Sequence, residues 1–257
     1  RYAFKPSMSK RFTFEYNTNA SAPSINDLQP VQDNTNPNRI QIGNAELLPS
    51  YTHSANVMFN TWKALTGRYV WAGGNLSLVN NAFANSSTYD QYGRTISKTV
   101  NVDGNMNAVI YSGAGFPFFG RKINLQPQFS ASFSRYSNEI MGQLNRTDNY
   151  MLNPALDVDF NLLGDSLEIN TKAAYSYNNP ISSLSSVSNT PFSIQTYELG
   201  FKWRLPHGFT IGTDGTYTIN AQPGEGFYDT KFFIWNAEVS KNFLKTENLN
   251  VAIQGFD

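Results

Sequence analysis

Side chains able to make or break bonds are scarce in this chain. It carries two histidines, His53 and His207, and no cysteine. A zinc-type centre needs several nitrogen, sulfur or carboxylate ligands converging on one point. Neither histidine has a second histidine or a carboxylate at ligand spacing, so both are read as interface or solvent residues, and no metal is expected. The nucleophile elbow G-x-S-x-G, the phosphate-binding loop and H-E-x-x-H are all missing. Gly113-Ala114-Gly115 lacks the third glycine and the following helix of a dinucleotide loop, so a turn is expected there and no cofactor. Glycosylation triplets at Asn19, Asn75, Asn85 and Asn145 are what an Asn- and Ser-rich chain produces by chance. The chain is not expected to be an enzyme.

Any ligand must then be held by hydroxyl, amide, carboxylate or aromatic groups, and a repeated pattern places these. In residues 121–135, Ile123, Leu125, Pro127, Phe129, Ala131 and Phe133 alternate with Asn124, Gln126, Gln128, Ser130, Ser132 and Ser134. Successive side chains of a strand project to opposite faces, so one face here is wholly apolar and the other polar but almost uncharged. The length suits a tilted transmembrane strand of about 9–11 residues better than a globular strand of about 5–6.

Composition agrees. Charged residues make up 15% of the 257 positions, against roughly 25% in soluble domains. Nineteen basic residues balance nineteen acidic ones, which leaves no charge field to recruit nucleic acid. No apolar run is long enough for a membrane-spanning helix, and no signal peptide is recognisable.

The alternation recurs at 12–16, 51–59, 70–78, 100–110 (with a bend or bulge at Gly104), 150–160, 167–177, 197–203, 209–219, 233–239 and 249–253. This predicts about eleven strands and a stub at 2–4. Connections alternate in length. Short ones are expected at 62–67, 113–120, 163–165, 206–207 and 244–248, and long polar ones at 20–50, 82–95, 137–148, 178–193 and 221–230. Outer membrane barrels have this asymmetry, with short periplasmic turns and longer extracellular loops. Aromatic residues gather at both strand ends: Trp62, Tyr69, Phe116, Phe118, Phe119, Trp203, Phe209 and Phe243 near the short turns, and Tyr51, Tyr136, Tyr150, Tyr177, Phe227 and Tyr228 near the long loops. Two interfacial girdles account for this, although strands favour aromatics in any setting. The predicted class is all-β, a transmembrane antiparallel up-and-down barrel.

The segment Pro23-Ser24-Ile25-Asn26-Asp27-Leu28-Gln29-Pro30, then Asn36-Pro37, then Ile42-Gly43-Asn44-Ala45-Glu46-Leu47-Leu48-Pro49, resembles the barrel signature of TonB-dependent outer membrane receptors. Leu65-Thr66-Gly67-Arg68 and the run 88–94 are similar to one branch of them. The resemblance implies a wider barrel than eleven strands, an amino-terminal plug and an energy-coupling box. Residues 1–257 are therefore expected to be a barrel segment from the carboxy-terminal part of such a receptor, cut before its last strands, with 20–50 as a long extracellular loop. It further implies residence in the outer membrane of a Gram-negative bacterium. Implied partners are membrane lipid, the receptor's own plug and through it the TonB system, with a surface lipoprotein or larger outer membrane complex as a further candidate.

Charges at alternate positions fall on the expected lumen faces: Asp157, Asp159, Glu168, Lys172, Glu198, Lys202, Arg204, Asp214 and Glu238. They either pin the wall to a plug through ion pairs or line a substrate path. In the long loops, Tyr89, Asp90, Tyr92, Arg94, Tyr228 and Asp229 could stack on and hydrogen-bond a polar ligand. The expected function is energy-coupled uptake of a nutrient. The alternative is a receptor-like barrel kept as a non-transporting structural subunit of an outer membrane assembly or secretion complex.

Overall fold

The computed structural model describes residues 2–36, 38–185, 187, 189–222, 229–243 and 249–256. Twelve strands form an antiparallel meander in which each pairs with the next along the ladder: β1 (Tyr2–Ser7), β2 (Lys10–Ser21), β5 (Ser50–Lys63), β6 (Arg68–Asn80), β9 (Asn105–Phe118), β10 (Ile123–Ile140), β11 (Gln143–Leu162), β12 (Leu167–Ser182), β13 (Phe192–Arg204), β14 (Phe209–Ala221), β15 (Thr230–Phe243) and β16 (Leu249–Phe256). The ladder is not closed among the described residues. It contains the eleven expected strands and the stub. Wall strands from β5 to β15 run 13 to 20 residues, more than a bilayer crossing needs.

The register carries the alternation across the sheet. Phe129 stands opposite Pro154 and Ser112, and the row continues through Ala72 and Phe59 to Phe12. Leu125 stands opposite Val158, and that row runs through Thr171, Leu199 and Gly215 to Trp235. This apolar face has no protein layer over it: Ile110 is 58% exposed, Leu199 60% and Trp235 54%. A soluble monomer rarely exposes a contiguous apolar patch of more than a few hundred Å², so the solvent for this face is hydrocarbon.

The long connections are not plain loops. Between β2 and β5 lie a helical turn α1 (Ile25–Leu28), β3 (Gln32–Asn36) and β4 (Arg39–Ile42). Between β6 and β9 stands a hairpin of β7 (Ala82–Tyr89) and β8 (Thr95–Val102). β4 pairs with β8 in parallel, and β7 pairs with the end of β10. The buried apolar residues among those described, Ile40, Leu47, Ala82, Ala84 and Val102, all belong to this end.

Three expectations about boundaries change. Val100 and Val102 belong to the hairpin, and the wall strand starts at Asn105; Gly104, at φ +85°, marks the break between them. Residues 113–118 extend β9, so the short turn is confined to 119–122. Residues 137–148 are not a loop: β10 and β11 stay paired up to Ile140 and Gln143, joined by Met141 and Gly142 at φ +52° and +73°. Positive φ at both central residues is the geometry of a two-residue type I′ hairpin.

Candidate functional site

The front-loop motif builds a clasp. Ser24 caps α1, accepting from the Asp27 backbone N–H at 3.1 Å and donating to the Asp27 carboxylate at 2.5 Å. The second Asp27 oxygen accepts from the Thr99 hydroxyl of β8 at 2.8 Å. These Ser24 and Thr99 hydrogen bonds outweigh the opposing effect of burial and hold the Asp27 carboxyl below its usual range. The second half of the motif returns to the same place. Asn44 donates its side-chain amide to the Thr99 carbonyl at 3.0 Å, and its backbone N–H to the Asp27 carbonyl. A Cβ on Gly43 would lie 1.8 Å from the Gln29 carbonyl oxygen, so only glycine permits this approach of the two motif halves. Asn101 completes the clasp by accepting from the Leu48 N–H and donating to the Leu48 and Asn81 carbonyls. These side chains are occupied with holding the segment 22–49 onto β8.

Tyr89, Asp90, Tyr92 and Arg94 meet at the tip of the β7–β8 hairpin. Asp90 accepts from the backbone N–H groups of Tyr92 and Arg94 at 2.9 Å and from Arg94 Nε at 2.7 Å. Burial pulls the Asp90 carboxyl upward, but the Arg94 and Tyr92 hydrogen bonds prevail and it lies below its usual range. Arg94 also sits 5.4 Å over the Tyr92 ring. Both charges therefore close the turn, and the rings of Tyr89 and Tyr92 are 63% and 74% exposed. Asp229 is exposed and Tyr228 lies outside the described residues.

All nine expected lumen charges lie on the polar face. Their register gathers them into adjacent rows on β11 to β15. Asp157, Lys172 and Glu198 share one row, Asp159, Asn170 and Asp214 the next, and Glu168, Lys202 and Glu238 the third. Their partners are mostly in the wall itself. Lys172 faces Glu198 at 3.6 Å, and Arg204 binds Glu168 at 2.8 Å and the Asp165 carbonyl at 2.7 Å. Asp159 accepts from Gln126 and Asn170, Asp157 from Gln128, Asp214 from Asn236, and Glu238 from Gln254. Six carboxylates against three cations give this patch a negative field. Among the described residues no group of three or more His, Asp or Glu could hold a metal ion.

Strand phase divides the aromatic residues differently from the expected girdles. Phe116, Phe118, Trp203, Phe209 and Phe243 share the apolar face near the short turns, and Tyr51, Tyr150 and Tyr177 share it near the other end. Lys241, on that same face, lies 4.4 Å over the Phe209 ring and 4.9 Å over that of Phe243, a cation held at the interface by aromatic rings. His53 accompanies the far band, its Nδ1 2.8 Å from the Tyr16 hydroxyl. Trp62, Tyr69 and Tyr136 have the opposite phase and face the polar side. There Tyr69 and Trp71 of β6 and Tyr111 of β9 lie flat against cross-strand glycines. A Cβ on Gly115, Gly113 or Gly73 would come within 2.2, 2.5 or 2.6 Å of the respective ring. Sequence position along the strand suggested girdle membership for Trp62, Tyr69 and Tyr136; parity within the strand was the signal that places them correctly.

A model of the outer membrane protein beta-barrel family matches residues 1–257. No curated protein and no solved structure matches the chain.

Proposed function

Because the chain belongs to the outer membrane protein beta-barrel family, we propose that it forms barrel wall of a TonB-dependent receptor, taking up a nutrient across the outer membrane. The observation that carries this reading is the front-loop clasp. The residues that resemble the receptor signature are the ones that interlock in space: Ser24 with Asp27, Gly43 against Gln29, and Asn44 with Asp27 and Thr99. A chance string of residues would have no reason to meet in this way. In this reading the apolar face meets lipid and the polar face encloses a path that a plug closes. The long connections face outward and offer Tyr89 and Tyr92 to the ligand, and the charged rows on β11 to β15 contact the plug or line the path. Energy reaches the plug through TonB.

One observation favours the second reading, a non-transporting structural subunit that binds a surface lipoprotein or larger complex. The outer segments are built into one sheet, from β3 through β4, β8 and β7 to β10, rather than left as separate loops. The two readings separate in an uptake assay. The full reading frame is expressed in a Gram-negative host, and a panel of labelled nutrients is followed with and without TonB or a protonophore. Uptake that stops on de-energisation supports the receptor; no uptake of any nutrient, with stable co-purification of a partner, favours the scaffold.

A further inference from the structure

The rings on the polar face form a surface of their own. Trp62 and Tyr69, opposite one another, Trp71 in the next row, and Tyr111 in the row beyond climb the wall along β5, β6 and β9. Trp71 and Tyr111 have centroids 5.9 Å apart. Each of Tyr69, Trp71 and Tyr111 has one face pressed on a glycine backbone, so its other face points away from the wall, and all three stay partly accessible. The strands thus hold these rings against the lining, Trp71 and Tyr111 tilted 46° to one another, which leaves less side-chain entropy to lose on binding.

Hydrogen-bonding groups flank the rings. Tyr69 donates its hydroxyl to Gln126 at 2.9 Å, and Gln126 in turn donates to Asp159 at 2.6 Å. In the Trp71 row stand Asn60 and Arg11 on one side and Gln128 on the other, with Gln128 donating to Asp157 at 2.8 Å. Asp157 and Asp159 each keep acceptor lone pairs beyond these bonds. A cleft of about 610 Å³ runs beside Trp62, Tyr69 and Trp71, lined also by Asn60 and by the cations Lys5, Lys10 and Arg11.

Flat rings bordered by amides and carboxylates suit a ligand with alternating C–H faces and hydroxyl edges. We propose that this stripe binds a neutral oligosaccharide, whose pyranose faces stack on Trp71 and Tyr111 while its hydroxyls bond to Gln128, Asp157 and Asn60. Where the stripe meets β10 and β11, an anionic ligand is disfavoured by Asp157 and Asp159, and a purely apolar one would leave the amides and carboxylates unpaired. The proposal rests on the reading of the polar face as the lining of a transport path, and it names the substrate class of that path.

The test is calorimetric titration of the full-length protein, in a detergent without a sugar headgroup, with maltohexaose, cellohexaose and the anionic hexamer of galacturonic acid. At least one neutral glucan binds, the anionic hexamer does not, and Trp71→Ala weakens the neutral glucan about tenfold or more, the loss of roughly one stacking contact. Trp235→Ala, on the lipid face, leaves the affinity unchanged. Heat-modifiable migration reports whether each variant is folded; where Trp71→Ala does not assemble, Tyr111→Leu and Gln128→Ala decide the matter by the same criterion. Binding of neither glucan, equal binding of the anionic hexamer, or an affinity indifferent to these substitutions overturns the proposal. Binding that persists in a protein showing no energised uptake removes the transport reading alone.

Discussion

At Gly43 a single hydrogen in place of a side chain lets two halves of a motif touch. Gly43→Ala would place a methyl carbon 1.8 Å from the Gln29 carbonyl oxygen, a backbone atom that no rotamer change can move aside. The clasp of Ser24, Asp27, Asn44 and Thr99 must then open, while the wall strands have no stake in it. The expected result is rapid proteolysis within 22–49 with unchanged heat-modifiable migration of the barrel. Asp27 gives the same clasp a pH dependence. Its carboxyl is lowered in the folded state, so it contributes stability that is present above the ordinary carboxylate value of 3.8 and is lost as pH falls through the lowered one. Limited proteolysis by an acid-active protease should therefore show protection of 22–49 falling away below that value, and Asp27→Asn should flatten the profile.

At the scale of the strand, phase matters more than identity. β10 has Phe129 on the lipid face and Ser130 on the polar one. Phe129→Arg puts a charge near the bilayer midplane and should cost roughly 2–4 kcal/mol in reversible unfolding from lipid vesicles, whereas Ser130→Arg should be nearly neutral. Equal losses at the two positions would contradict the assignment of faces. Eleven wall strands were legible because each repeats the same two-residue rhythm, while β1, only six residues long, was legible as no more than a stub. Their continuations beyond the membrane were not. Residues 137–148 are polar apart from Ile140, Met141 and Leu144, which do not alternate, so their pairing leaves no period-two hydrophobic signature. β3, with Gln32, Asp33, Asn34, Thr35 and Asn36, is polar throughout. β7 and β8 carry their inward apolar set on Ala82, Ala84, Val100 and Val102, too small and too few to stand out in an Asn- and Ser-rich run. Of the candidate site, the placement of the nine charges on the polar face was readable from parity. The commitment of Asp90 and Arg94 to their own turn was not, because it depends on the hairpin that brings Arg94 back beside Asp90.

The whole molecule is a sheet with two solvents. Its apolar face carries large exposed residues from Phe14 to Trp235 and no covering layer, while among the described residues its protein-type core is confined to the outer end, around Ala82, Ala84 and Val102. The wall therefore owes its stability to lipid on one side and to a dense ladder of backbone and side-chain hydrogen bonds on the other. The outer sheet from β3 to β10 is a separate small packing unit fastened to one long hairpin, β10–β11. Removal of this unit should leave the heat-modifiable migration of the barrel wall unchanged.

The two-solvent account can be measured strand by strand, since the chain has no native cysteine to interfere. Single cysteines placed at each position from 123 to 133 would be labelled with a fluorophore in proteoliposomes and exposed in turn to a lipid-borne quencher and a water-soluble one. The account predicts a period of two, with the lipid-borne quencher acting at 123, 125, 127, 129, 131 and 133, and the soluble one at 124, 126, 128, 130 and 132. Uniform access of the soluble quencher along the strand, or the opposite phase, would contradict it.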